Sequence, residues 1–431
     1  MKTQVRIVST DLEIQREPFA RPFGFKGSAF HEKWNCLVRV EDAEGNVSFG
    51  LGGLAVLWSD ADVFSAHTEV GGNILQTAIL EHALQRVKTL DFETPIEALD
   101  LILPDVHAYA QSITQKVDLR LTFTLIALVA LDNALWMAYA RQRNVNHFDQ
   151  LIPSRFQPHF ANKQRHLALA PAIGYNLPDF ELRQMLEAGI YVLKIKIGQA
   201  GTETEMIEKD CQRLADVDRI AREYRTNMTD NGRVAYYLDA NSRYPNQQSL
   251  MRLLDQADHI GCLDQIIVVE EPFDEEVVIE IGDFPICLAA DESVHTIADV
   301  TKYGNQGYSA IAIKPAGKTL SLAFQMVDAA IQKGMIPFVA DNACVPTLVE
   351  WNKNIAARLP VFPGLKTGMM ESNGPQNYAT WSQMISEYPI PNAPWLTTKQ
   401  GSFQLNSSYY QQSGGIFRLP ETYTRLFRSS D

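Results

Sequence analysis

The stretch Leu193-Lys194-Ile195-Lys196-Ile197-Gly198 alternates aliphatic residues with lysines, so an extended backbone puts both ammonium groups on one face and the aliphatics on the other. Buried lysines are costly unless their face lines a polar cavity, where neighbouring charge can bring one of them into the range of a usable base. Four more apolar runs end in the same manner. Tyr236-Tyr237-Leu238 is followed by Asp239, Ile266-Ile267-Val268-Val269 by Glu270, Leu288-Ala289-Ala290 by Asp291, and Ala310-Ile311-Ala312-Ile313 by Lys314. The intervals of 31, 21 and 23 residues between these four positions each hold one strand, loop and helix. A single Asp at such a junction often only caps the helix that follows. Three acids flanked by lysines ask for more: they repel one another in a low-dielectric site, and a hard divalent cation, Mg2+ or Mn2+, accounts for all three as ligands. Adjacent strand residues face opposite sides, so Glu270 is read as the ligand in preference to Glu271, and Glu292 beside Asp291 is given a supporting role at most.

These residues need a frame. Short β-rich runs at 168–173, 191–198, 235–240, 266–270, 286–291, 310–314, 336–340 and 365–370 make eight strands, separated by helical stretches such as 204–225 and 320–333. Eight alternating units predict a closed α/β barrel whose polar site lies at the carboxyl ends of its strands. Ahead of it, residues 5–47 alternate apolar and polar positions with turn signals, as in a small antiparallel sheet. Within that sheet Arg21-Pro22-Phe23-Gly24-Phe25-Lys26-Gly27-Ser28 has the glycines and aromatics of a flap over a site, with Phe25 and Lys26 as candidate substrate contacts. Residues 72–143 turn helical, and 125–140 is apolar on all sides, which predicts a buried helix with Asp132 as a hydrogen-bonded core carboxylate. The expected organisation is an α+β capping domain over 1–160, a barrel carrying the metal site over 161–385, and a tail over 386–431 that packs back on the cap.

With 38 basic against 51 acidic residues the net charge is −13, and no Lys/Arg-rich run could follow a phosphate backbone, so nucleic acid is excluded as the expected partner. The first ten residues lack the apolar segment of a signal peptide, and the longest apolar stretch is interrupted by Asp132 and Asn133. The reading is a soluble cytoplasmic protein without a membrane partner. Its five cysteines are scattered and without metal-type spacing, hence reduced and structural.

Taken in order, Lys194-x-Lys196, Asp239-x-Asn241, Glu270-Glu271-Pro272, Asp291-Glu292-Ser293 and Ile313-Lys314-Pro315 resemble the enolase superfamily, in particular its muconate lactonizing enzyme subgroup, and Ala134-Leu135-Trp136 resembles the helix that precedes the family's barrel. The resemblance spans the chain and implies a modified (β/α)7β TIM-type barrel with an α+β cap. It implies that Asp239, Glu270 and Asp291 bind Mg2+, that Lys196 and Lys314 are acid/base groups on opposite faces of a small carboxylate substrate, and that Lys194 stabilises the enolate and keeps the pKa of Lys196 low. Asn241, Asp341, Glu371 and Asn373 are the remaining candidate substrate contacts. The last histidine is His295, before the sixth strand, which excludes the late His-Asp dyad of mandelate racemase-like members. Glu371-Ser372-Asn373 stands where dipeptide epimerases of the subgroup resemble one another in Asp-x-Asp. The expected activity is racemisation or epimerisation, with cycloisomerisation or β-elimination as the alternative on the same site and a non-catalytic binding barrel behind both. Substrate identity is not legible, and a homo-oligomer is left open.

Overall fold

A computed structural model describes residues 4–25, 28–277, 281 and 284–428; Lys26 and the Phe25 side chain, both named as substrate contacts, lie outside the described residues. The chain opens with a long hairpin, β1 (Val5–Phe25) and β2 (Ser28–Asp42), extended by β3 (Val47–Gly53) and β4 (Asp91–Phe92) into an antiparallel sheet of order β3-β2-β1-β4. Pairing of β1 with β2 is irregular between Pro18 and Phe23, where Pro18 and Pro22 have no N–H for the ladder. The short helices α1 (Val56–Ser59) and α2 (Ala61–Ala66) lead into three long ones, α3 (Glu69–Val87), α4 (Pro95–Thr114) and α5 (Leu121–Gln142).

As its composition predicts, α5 is buried almost all round, from Thr122 to Trp136 without a break. It is long and apolar enough to cross a membrane, yet its apolar window is 89% buried inside the protein. Helix and sheet meet at backbone distance here. A Cβ at Gly50 would lie 2.1 Å from the Ala130 carbonyl oxygen and one at Gly52 2.5 Å from the Ala130 nitrogen, so alanine at either position would push β3 off α5. Asp132 is the core carboxylate expected: it accepts hydrogen bonds from the Leu320 and Ser321 amides at 2.9 and 3.1 Å and from the Ser321 hydroxyl. It thereby caps a barrel helix, α12 (Leu320–Gln332), from within the cap, and burial lifts its pKa to about 7.

The barrel begins at β5 (His166–Ala170) and β6 (Ala172–Ile173), two halves of one strand broken at Pro171. Then follow β7 (Val192–Lys196), β8 (Ala235–Asp239), β9 (Ile266–Glu270), β10 (Leu288–Ala290), β11 (Ala310–Ile313), β12 (Ile336–Val339) and β13 (Gly368–Glu371), each parallel to the next. β6 pairs with β7 and β5 with β13, so the broken first strand closes the eight-membered ring. The short helix α6 (Phe148–Leu151) precedes the barrel, and helices α7 (Asp179–Glu187), α8 (Glu203–Ala221), α9 (Gln247–His259), α10 (Ile297–Gln306), α11 (Pro315–Lys318), α12 and α13 (Pro346–Ala356) lie between strands. The connection from β9 to β10 contains no helix among the described residues, a departure from strict alternation. Ala168, Tyr237, Val268, Ala289, Ala312 and Phe338 fill the interior, which confines polar residues to the strands' carboxyl ends. In the tail, Ser402–Gln404 adds antiparallel to β5, while Phe427 lies 5.6 Å from Phe49 of the cap sheet. All five cysteines are free.

Candidate active site

Strand register sets the geometry. In β7 and β8 Lys196 is the partner of Asp239, and in β8 and β9 Asp239 is the partner of Glu270, so the three stand at one level of the ring. Glu270 is in turn level with Ala289, and Asp291 follows two residues on, facing the same side. Lys194 stands two residues lower on β7, in register with Tyr237, and is buried with its ammonium 4.7 Å from the Tyr237 ring. Its ammonium lies 2.9 Å from Asp239, 3.1 Å from Glu270 and 2.8 Å from Glu371. Burial alone would lower the pKa of Lys194, but these three charges raise it well above the ordinary lysine value. Lys196 donates to Asp239 Oδ2 at 2.6 Å and to Asn241 Oδ1 at 2.9 Å.

On the opposite wall Lys314 donates to Asp291 Oδ2, and Lys318 donates to the Asp291 carbonyl at 2.7 Å. Trp58 from α1 covers both, with ring-centroid distances of 4.6 and 5.8 Å. Burial opposes the charge on Lys314 but Asp291 and Glu270 outweigh it and raise its pKa; on Lys318 burial prevails and lowers it. A lower pKa at Lys314 requires that the charge on Asp291 and Glu270 be compensated by something other than the lysine itself.

Asp239 falls to about 2 because the two lysines outweigh its burial. Burial and the charge of Asp291 raise Glu270. One oxygen each from Glu270, Asp291 and Glu292 falls within 4.8 Å of the others, and Glu270 Oε2, Asp291 Oδ1 and Glu292 Oε2 are all buried without a hydrogen-bond donor. Of these, Glu270 Oε2 is close to the Lys194 ammonium without the alignment of a hydrogen bond. Buried oxygens short of donors beside cationic walls are the donor set a hard divalent cation takes. Glu292, given only a supporting role from sequence, is therefore part of the acidic group, whereas Asp239 is drawn aside by Lys194 and Lys196. Glu271 faces behind the site, accepting the Asp291 and Ser293 amides at 2.6 and 3.2 Å, and burial next to Glu292 pushes its pKa to about 8.

The remaining predicted contacts divide. Asn241 bridges Lys196 and Glu292, donating to Glu292 Oε1 at 2.9 Å, and it also lines a cavity of about 650 Å³. Its φ of 45° and that of Ser242, 64°, lie in the left-handed region, a strain of order 1–3 kcal/mol per residue that the surrounding bonds must hold. Asn373 lines the same cavity, accepts the Ala172 amide at 2.8 Å and donates to Glu371 at 2.8 Å. Glu371 has both oxygens on protein donors, Lys194 and the Asp341 amide on one and Asn373 on the other, so it positions Lys194. Asp341 accepts the amides of Cys344 and Asn373 and holds the loop after β12. The flap expectation meets the same cavity: Arg21, Pro22, Phe23, Gly24 and Ser28 line it together with Lys196. Sequence reasoning missed Trp58, which carries no local signal, and Lys318, whose position four residues after Lys314 on a helical turn could have been read.

No protein-family model and no curated protein sequence matches the chain. Solved structures do match over almost its whole length. A mandelate racemase/muconate lactonizing protein from Herpetosiphon aurantiacus is 17% identical with a TM-score of 0.64, covering 93% of this chain and 96% of its own. A dipeptide epimerase from Enterococcus faecalis V583, complexed with Mg and L-Leu-L-Tyr, is 16% identical with a TM-score of 0.64, over 93% and 97%. The 2-chloromuconate cycloisomerase from Rhodococcus opacus 1CP is 18% identical with a TM-score of 0.63, over 94% of both. The chain thus shares with these proteins, over more than nine-tenths of its length, the fold of a barrel with a cap.

Proposed function

We propose that this protein is a Mg2+-dependent enzyme that removes the proton α to a substrate carboxylate, most simply as a racemase or epimerase. The observation that carries the reading is the group of buried, donorless oxygens on Glu270, Asp291 and Glu292, set between lysines of the second and sixth strands of an eight-stranded ring. Mg2+ would be held by Glu270 and Asp291, with Glu292 beside them and Asp239 adjoining through Lys194. When bound, it supplies the concentrated positive charge that makes an α-proton of a carboxylate acidic enough to remove. Lys196 reaches the substrate from the cavity side, steadied by Asp239 and Asn241, and takes or returns the proton. Lys314 stands on the opposite strand to do the converse, and Trp58 keeps water from it. Lys194 remains an ammonium, held by Asp239, Glu270 and Glu371, and its charge favours the substrate form that has lost the proton.

One observation favours a second reading on the same site. Lys196 lines the large cavity and Lys314 does not, which suits one-base chemistry, cycloisomerisation or β-elimination, with Lys314 as a fixed charge. Uptake of deuterium at the α-carbon, screened over a carboxylate library with Mg2+-loaded protein, tests the common step. Lys196→Ala and Lys314→Ala then separate the readings. A two-base enzyme loses turnover in both variants but retains exchange of opposite enantiomers, whereas a one-base enzyme loses exchange only with Lys196→Ala. An absence of Mg2+-dependent exchange across the library overturns both.

A further inference from the structure

The cavity beside Lys196 has a sign. Among the described residues that line it, the charged ones are Arg21, Lys196, Lys209 and Arg243, all cationic, in a chain whose net charge is −13. Three of them have partners: Lys196 bonds Asp239, Arg21 pairs with Glu181 at 3.0 Å, and Lys209 donates to the Ala200 carbonyl at 2.6 Å. Arg243 is exposed to the cavity, and its guanidinium has no hydrogen-bond or ion-pair partner among the described residues.

Arg243 is nevertheless on a fixed wall. Its backbone amide closes a turn on the Ala240 carbonyl at 3.1 Å, immediately after the strained pair Asn241 and Ser242. The next residue, Tyr244, is buried and donates to Asp210 at 2.8 Å, and the same carboxylate oxygen accepts the Gly198 amide at 2.7 Å, which ties the loop after β8 to the loop after β7. The stem of Arg243 crosses over Gly198. A Cβ there would lie 2.5 Å from Arg243 Cβ, and the φ of +82° at Gly198 is one that residues with a side chain rarely adopt. Two residues upstream of Gly198 is Lys196, so the strand end that carries the proposed base runs directly into the loop that supports the unpaired guanidinium. A cavity of about 650 Å³ is of the size that encloses a small ligand, and a planar fork of donors in it matches a carboxylate or a phosphate.

We infer that Arg243 is a specificity-determining residue, and that the substrate carries a second, distal anionic group, carboxylate or phosphate, which the guanidinium takes while the first carboxylate is held at the acidic cluster. The inference rests on the reading of the site given under Proposed function. The other cations of the wall add a field that attracts an anion without contacting it.

Calorimetric titration of the Mg2+-loaded protein tests it, with straight-chain α,ω-dicarboxylates, ω-phosphonocarboxylates and monocarboxylates of equal length as probes. The wild type is expected to bind the dianion of a matched pair about tenfold or more tighter than the monocarboxylate, as one charge-assisted fork implies. Arg243→Gln should collapse that ratio towards one, and Arg243→Lys should retain part of it for the phosphonates. Equal affinities within every pair in the wild type, or a preference that survives Arg243→Gln, would overturn the inference. Preference for the carboxylate or for the phosphonate series identifies the distal group. Failure of the underlying reading has a different signature, since binding would then be independent of Mg2+ and no probe would exchange its α-proton.

Discussion

Replacing Lys194 with methionine keeps the volume of the side chain and removes the charge that Asp239, Glu270 and Glu371 share. At an effective dielectric of 20, a carboxylate about 3 Å from an ammonium interacts with it by roughly 5 kcal/mol. Taking the ammonium out of water offsets most of the three such terms. The net effect to expect is that of breaking one buried, hydrogen-bonded ion pair, about 3–5 kcal/mol, because the partners left behind stay buried and charged. An unfolding entropy of about 2.1 cal/mol/K per residue over this chain gives roughly 0.9 kcal/mol per kelvin, so Tm should fall by about 3–6 °C. Mg2+ should return part of the loss. At a hundredfold excess over its Kd a bound ion stabilises by about 2.7 kcal/mol, or roughly 3 °C, and the variant, with one positive charge fewer beside the acids, should gain more from it than the wild type. Differential scanning calorimetry of both proteins with EDTA and with Mg2+ reads all four values. A Lys194→Met protein as stable as the wild type in EDTA, or one that Mg2+ stabilises less, would refute the view that this lysine is the principal countercharge of the cluster.

Glu292→Gln should weaken Mg2+ binding by about tenfold or more, comparably to Glu270→Gln, whereas Glu271→Gln should change it far less; isothermal titration with the metal alone decides between them. Trp58→Ala should open the Lys314 wall to water and lower kcat more than it raises KM, measured on whichever substrate the exchange screen yields, and an effect confined to KM would make Trp58 a binding contact instead. Asp132 gives a pH signature away from the site. Its folded pKa of about 7 lies above the unfolded 3.8, so the native state binds the proton more tightly and stability falls as pH rises between those values. Asp132→Asn should flatten that slope in urea titrations taken from pH 4 to 7.

The order of β-rich runs and their spacing were enough to place eight strands and a barrel, because strand period and strand–helix alternation are local properties that the chain cannot hide. The same holds for the charged residues that end the strands: Lys194, Lys196, Asp239, Glu270, Asp291 and Lys314 were legible because a strand directs a terminal residue into the mouth whatever its neighbours are. Asp132 was legible too, since a lone acid in an apolar helix must find donors. What the sequence could not decide is how charges meet across the ring. Asp239 leans to the lysines of β7 and Glu292 enters the acidic group through parallel register and the turn after β10, which depend on contacts between residues far apart in the chain. Glu371, read as a substrate contact, meets Lys194 only because ring closure brings β13 and β7 to the two sides of the broken first strand. Trp58 reaches Lys314 from another domain, and Arg243 becomes a feature of the site only when the loops after β7 and β8 join through Asp210. Residue type and period fix which side chains face the mouth, and closure of the ring and docking of the cap determine which of them neutralise one another and which are left for a ligand.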